Sequence, residues 1–186
     1  MVQGNSPLAA GLRFLPMTAT PLVVAPMAGT LSDRVGRRPV MVAGLILLAA
    51  GLVWFALVAT AGAGYGQLVL PLIITGAGVS MPFATAPSAT LSAVSPADMG
   101  RASGANGTFQ RFGGAFGIAV ATAVFATHGQ LGTAAGFADG MRAALFAAAV
   151  LALVGAASAM AATRRRVTPA IDRASVGARL ASPGGV

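Results

Sequence analysis

Few side chains in this sequence can do chemistry, and their spacing narrows the choice. The charged and titratable set is four Asp, twelve Arg, one His and one Tyr, with no Lys, Glu or Cys. Asp33, Asp98, Asp139 and Asp172 are scattered and His128 stands alone. Such a set builds neither a metal cluster nor a carboxylate pair for general acid–base work. Without cysteine there is no disulfide or thiol chemistry. No metal, no catalytic residue and no enzyme are expected. One cluster stands apart, Gly29-Thr30-Leu31-Ser32-Asp33-Arg34-Val35-Gly36-Arg37-Arg38-Pro39. It sets one acid and three arginines between residues 14–32 and 39–97, which carry no charge. A charged knot between apolar runs reads as a short loop where a chain leaves a bilayer and turns back. Gly29 and Gly36 permit close approach and a tight turn. Asp33 is an anion suited to the positive N-terminus of another helix, and Arg34, Arg37 and Arg38 hold the loop on the cytoplasmic side.

The surroundings of the knot support a membrane. The chain is 56% hydrophobic and 9% charged with mean hydropathy +0.80, whereas a soluble domain carries about 25% charged residues. The net charge of +8 raises the question of nucleic acid. The arginines, however, fall at loop positions and in the C-terminal tail rather than along one face. The expected partner is the lipid bilayer, not nucleic acid. The first apolar run is broken by Arg13 and prolines, unlike a signal peptide.

Five spans must position the knot. The first runs over about 7–31, with Ser6-Pro7 at its start and Pro16, Pro21 and Pro26 bending it. The second covers about 39–61, and the third about 67–94 with Gly76, Gly78, Pro82 and Pro87 making it irregular. Ser95-Pro96-Ala97-Asp98 reads as a helix-start box for the fourth, about 96–127. Asp139 is the expected N-cap of the fifth, about 139–163. Residues 164–186 read as a disordered basic cytoplasmic tail. Loop arginines set the orientation. With the knot inside, Arg34, Arg37, Arg38, Arg101, Arg164, Arg165, Arg166, Arg173 and Arg179 lie inside, against Arg13 and Arg142 outside. The N-terminus is then outside and the C-terminus cytoplasmic.

The order Gly-x-x-x-Asp-Arg-x-Gly resembles motif A of the major facilitator superfamily. Ser6-Pro7-Leu8, Ala10-Gly11-Leu12 and Leu15-Pro16 ahead of it resemble the fourteen-helix drug:proton antiporter branch. So do Gly100-Arg101-Ala102-Ser103-Gly104, Asn106, Gln110 and Gly113-Gly114-x-x-Gly117, and the likeness covers residues 6–163. It implies an all-α, polytopic membrane bundle, five transmembrane helices of an incomplete C-terminal half, in the cell inner membrane. The function it implies is the C-terminal portion of a proton-driven multidrug exporter. Its partners would be the missing N-terminal portion and a drug-like small molecule; no cofactor is expected, only a proton gradient for the complete transporter. The alternative is a non-transporting remnant or an accessory membrane subunit.

On that plan the third span lines the cavity. Thr75, Ser80, Met81 and Phe83 would then meet an apolar substrate, Met adapting to varied shapes, although lipid or core packing suits each residue singly. Asn106 and Gln110, one turn apart, suit interhelical hydrogen bonds as well as substrate contact. Arg111, inside the fourth span, suits either snorkelling or a place in the pathway. Gly104, Gly107, Gly114 and Gly117 belong to a small-residue stripe expected to serve helix packing.

Overall fold

The computed structural model describes residues 11, 15–59, 64–92, 94–130 and 132–161. The start of the first helix, most of the turn before Tyr65 and the tail from residue 162 lie outside that set. Five long helices follow one another: α1 (Leu15–Val35), α2 (Arg37–Val58), α3 (Tyr65–Leu91), α4 (Met99–His128) and α5 (Ala134–Ala161), with a short 3-10 turn at Pro96–Asp98. Among the described residues four of them, α2 to α5, are long and apolar enough to cross a membrane; the described part of α1, with Pro21 and Pro26 inside it, is not.

Several helix ends differ from the sequence expectation, each for a local reason. The charged knot is not a loop. Helix α1 continues through Asp33 and Arg34 to Val35, because the Ser32 hydroxyl donates to the Gly29 carbonyl (2.7 Å) and the Gly36 N–H to the Ser32 carbonyl (3.0 Å). Only Gly36 separates α1 from α2, at φ 94° and ψ 152°, a conformation that is essentially glycine's. Helix α5 begins at Ala134, and Asp139 is an exposed residue in its second turn rather than its cap. Thr133 does the capping: its Oγ1 accepts the Gly136 N–H at 3.1 Å. Before α4, Ser95 Oγ donates to the Asp98 carboxylate (2.8 Å) instead of capping a backbone N–H.

The helices stand side by side in the order α1, α3, α2, α5, α4, with the closest association between α2 and α3. The core is made of small residues. Ala49, Ala149 and Ala152 meet between α2 and α5, flanked by Leu48, Leu52 and Val53. Glycine lets α3 approach its neighbours on two sides. A Cβ on Gly78 would collide with the Leu48 backbone, and one on Gly44 would lie 2.6 Å from Met81 Cβ. On the other side a Cβ on Gly76 would lie 2.7 Å from the Met17 carbonyl of α1. Large apolar side chains such as Leu22, Phe109 and Ile118 point outward, which lipid tolerates because its tails are as apolar as they are.

Helix α3 carries three internal prolines, Pro71, Pro82 and Pro87, yet no buried side-chain donor or acceptor among the described residues lacks a partner. Its hydroxyls turn back on their own helix. Thr75 donates to the Pro71 carbonyl (2.8 Å), Ser80 to Gly76 (2.5 Å) and Thr85 to Met81 (2.8 Å). Back-bonding of this kind resolves a polar side chain inside an apolar bundle.

Candidate functional site

The motif residues sit on one side of the bundle, where the start of α2 meets the ends of α3 and α5. Arg37, the first residue of α2, donates from Nη1 to Ser92 Oγ just past the end of α3. Arg38 donates from Nε to the Ala159 carbonyl (2.7 Å) in the last turn of α5. Carbonyls there run short of intrahelical donors, and a cation offsets the negative end of the helix dipole. Adjacent arginines on one turn therefore clamp α2 to both neighbours. Gly29 has open space around its Cα, so close approach at that position is not used within the described chain.

Asp33 and Arg34 behave differently. Both are exposed, and neither has an ion pair among the described residues, where the only pair is Arg101 with Asp98 (3.5 Å). Arg34 in the last turn of α1 suits the negative end of the dipole, whereas a carboxylate there is disfavoured by about 0.3–1 kcal/mol. Nothing on α1 itself repays that cost.

The four α3 residues expected along a transport path do not share one environment. Thr75 is buried against α2, its Oγ1 placed 2.6 Å from where a Cβ on Gly51 would stand. It packs helices and borders neither of the two grooves between α1 and α3. Ser80 is buried but borders a groove of about 490 Å³ between α1 and α3, with Pro21, Ala25, Val79, Phe83 and Ala84. Met81 opens on a neighbouring groove of about 410 Å³ that also reaches Met27, Leu31 and Arg34. Phe83 is 62% exposed. These two grooves are apolar and belong to the same pair of helices.

Helix α4 holds the other expected site residues, and it is the odd element. None of its thirty residues is buried. Gln110 and Arg111 are exposed and Asn106 is half-buried. A Cβ added to Gly104, Gly107, Gly114 or Gly117 would meet nothing within 4 Å, so these glycines pack no helix of the described chain. Close approaches among α1, α2 and α3 fall instead on Gly44, Gly51, Gly76 and Gly78, to which the stripe on α4 gives no pointer. Helix α4 is attached to α5 at the far end, where Phe125 and Phe137 meet edge to face (5.4 Å) and Gly129 lies against Gly140.

Comparison with known proteins gives this arrangement its context. Residues 3–182 match the family model of the Major Facilitator Superfamily. The chain is 31% identical over 156 residues to the uncharacterized transporter YebQ of Escherichia coli, covering 83% of this chain and 32% of that protein. It is 30% identical over 125 residues to the multidrug resistance protein Stp of Mycobacterium tuberculosis (67% and 23%). With the cephamycin export protein CmcT of Amycolatopsis lactamdurans it shares 34% over 120 residues (64% and 25%). The chain thus spans about a quarter to a third of the length of these relatives, and no solved structure matches it. With the family model matching nearly its whole length, the chain belongs to the major facilitator superfamily.

Proposed function

We propose that this chain is the C-terminal portion of a proton-driven exporter of drug-like small molecules, completed by a segment that supplies the rest of the bundle. The observation that carries this reading is α4. A thirty-residue helix with no buried residue and six glycines meeting no neighbour has the surface of a helix awaiting others. Asp33 fits the same reading, since an anion disfavoured on its own helix end gains by facing the N-terminus of a helix elsewhere. Ser80, Met81 and Phe83 form part of the wall that substrate meets, and Asn106, Gln110 and Arg111 face the completed interior. The motif corner lies on the cytoplasmic side of the inner membrane. Names of the relatives, which include multidrug resistance and antibiotic export, support the substrate class.

In this reading the proton-coupling acid lies outside the chain. Intramembrane acids usually carry coupling, whereas Asp33, Asp98 and Asp139 stand at or near helix ends. The test is a joined full-length protein in proteoliposomes, loaded with a fluorescent drug and given a proton gradient. The expected results are drug movement that collapses with a protonophore and proton release on drug binding that survives Asp→Asn at positions 33, 98, 139 and 172 in turn. Movement indifferent to the gradient would overturn the proton-driven assignment. Loss of proton release in one mutant would return the coupling site to this chain.

A further inference from the structure

The corner bears a second feature that transport does not use. On the outer side of α2, a groove of about 750 Å³ has Arg37 and Arg38 at its head and Pro39, Val42, Ile46 and Met160 along its length. Both arginines are half-buried, and Ile46 and Met160 are about half exposed at 47% and 53%. A guanidinium carries five N–H donors, and the clamp described above uses one from each arginine. No aspartate among the described residues is paired with either. The shape is that of an amphiphile's socket, cationic where the helices end and apolar along the bundle.

We propose that this groove binds an anionic phospholipid, its phosphate on Arg37 and Arg38 and an acyl chain along Val42, Ile46 and Met160. Arginine presents paired donors that match a phosphate, and basic pockets between transmembrane helices suit anionic headgroups in general. The bound phosphate would offset part of the charge of the two arginines that hold α2 to α3 and α5, so the lipid becomes part of the corner. This proposal holds whatever the transported molecule is.

The single tryptophan makes a clean test. Ile46 lies eight residues beyond Arg38, about 12 Å along α2 at ~1.5 Å per residue, level with the middle of an acyl chain. Trp54→Phe with Ile46→Trp moves the only indole of residues 1–186 into the groove. Native Trp54, about 24 Å from Arg38, serves as the control. Both proteins are placed in phosphatidylcholine bilayers containing dibrominated phosphatidylglycerol or dibrominated phosphatidylcholine, and quenching is compared. Each arginine near the surface favours an anionic lipid by roughly fivefold. The groove indole should therefore report a preference of about five- to twenty-five-fold for phosphatidylglycerol, and Trp54 none. Arg37→Gln/Arg38→Gln should abolish the preference and Arg37→Lys/Arg38→Lys should keep it. If circular dichroism shows that the double Gln protein has lost its helices, Arg37→Gln alone should remove about a fivefold share. Equal quenching by the two lipids overturns the proposal. So does a preference indifferent to the Gln changes, or displacement of the brominated lipid by inorganic phosphate alone.

Discussion

At the scale of single residues, the corner between α1 and α2 is decided by Gly36, Arg37 and Arg38. Gly36 holds a backbone conformation closed to other residues, so Gly36→Ala should destabilise the chain by about 1–3 kcal/mol. A lowered midpoint in denaturant titration of the purified chain in detergent would show it, and an unchanged midpoint would mean that the corner relaxes freely. The order Gly-x-x-x-Asp-Arg-x-Gly makes the turn legible but misplaces its extent. Charge suggests a loop leaving the bilayer, whereas Ser32 and the Gly36 N–H carry the helix through the charges. The same kind of local bonding moves the start of α5. An acid at position 139 looks like a cap, but Thr133 with two alanines and Gly136 behind it captures the first free N–H. Thr133→Ala should cost about 1 kcal/mol, and Asp139→Ala nearly nothing, in the same titration. The reverse order would restore Asp139 as the cap.

At the scale of helices, the number and order of helices can be read from the long apolar runs between charges and turns, and the packing faces cannot. In lipid, a residue facing a neighbouring helix and one facing acyl chains are both apolar. Periodicity therefore no longer marks the buried face. Small residues remain the signal, yet they do not say which neighbour they await. Gly44, Gly51, Gly76 and Gly78 meet helices within this chain, while Gly104, Gly107, Gly114 and Gly117 meet none among the described residues. The two sets should respond oppositely. In the chain alone, Gly78→Ala should destabilise by about 1–3 kcal/mol through overpacking, while Gly107→Ala leaves stability unchanged. Once a matching N-terminal portion is present, Gly107→Leu should weaken co-purification of the two pieces. Co-purification indifferent to Gly107→Leu would mean that α4 faces lipid. Thr75 illustrates the same limit: a hydroxyl in a predicted cavity helix is equally able to bond its own backbone between helices, as it does here.

At the scale of the whole molecule, the row α1, α3, α2, α5, α4 is open along α1 and α4, and its ends alternate. The α1–α2 corner, the 92–98 turn and the end of α5 gather on one side through Arg37 and Arg38, with the Gly129–Thr133 turn at the other. The proposed orientation, which rests on the arginine counts, puts the motif side in the cytoplasm. The absence of cysteine permits a direct check by single substitutions in intact cells. An impermeant thiol reagent should label Gly132→Cys and spare Ala97→Cys, and the opposite pattern would invert the orientation. Completion of the bundle is the central claim, and transport tests it most directly. Residues 1–186 are expressed alone, and then together with a matching N-terminal portion, in a drug-sensitive host, and efflux of a fluorescent drug is measured. The account predicts no efflux from the chain alone, efflux on co-expression, and a reduced rate with Asp33→Asn. Efflux by the chain alone would contradict it.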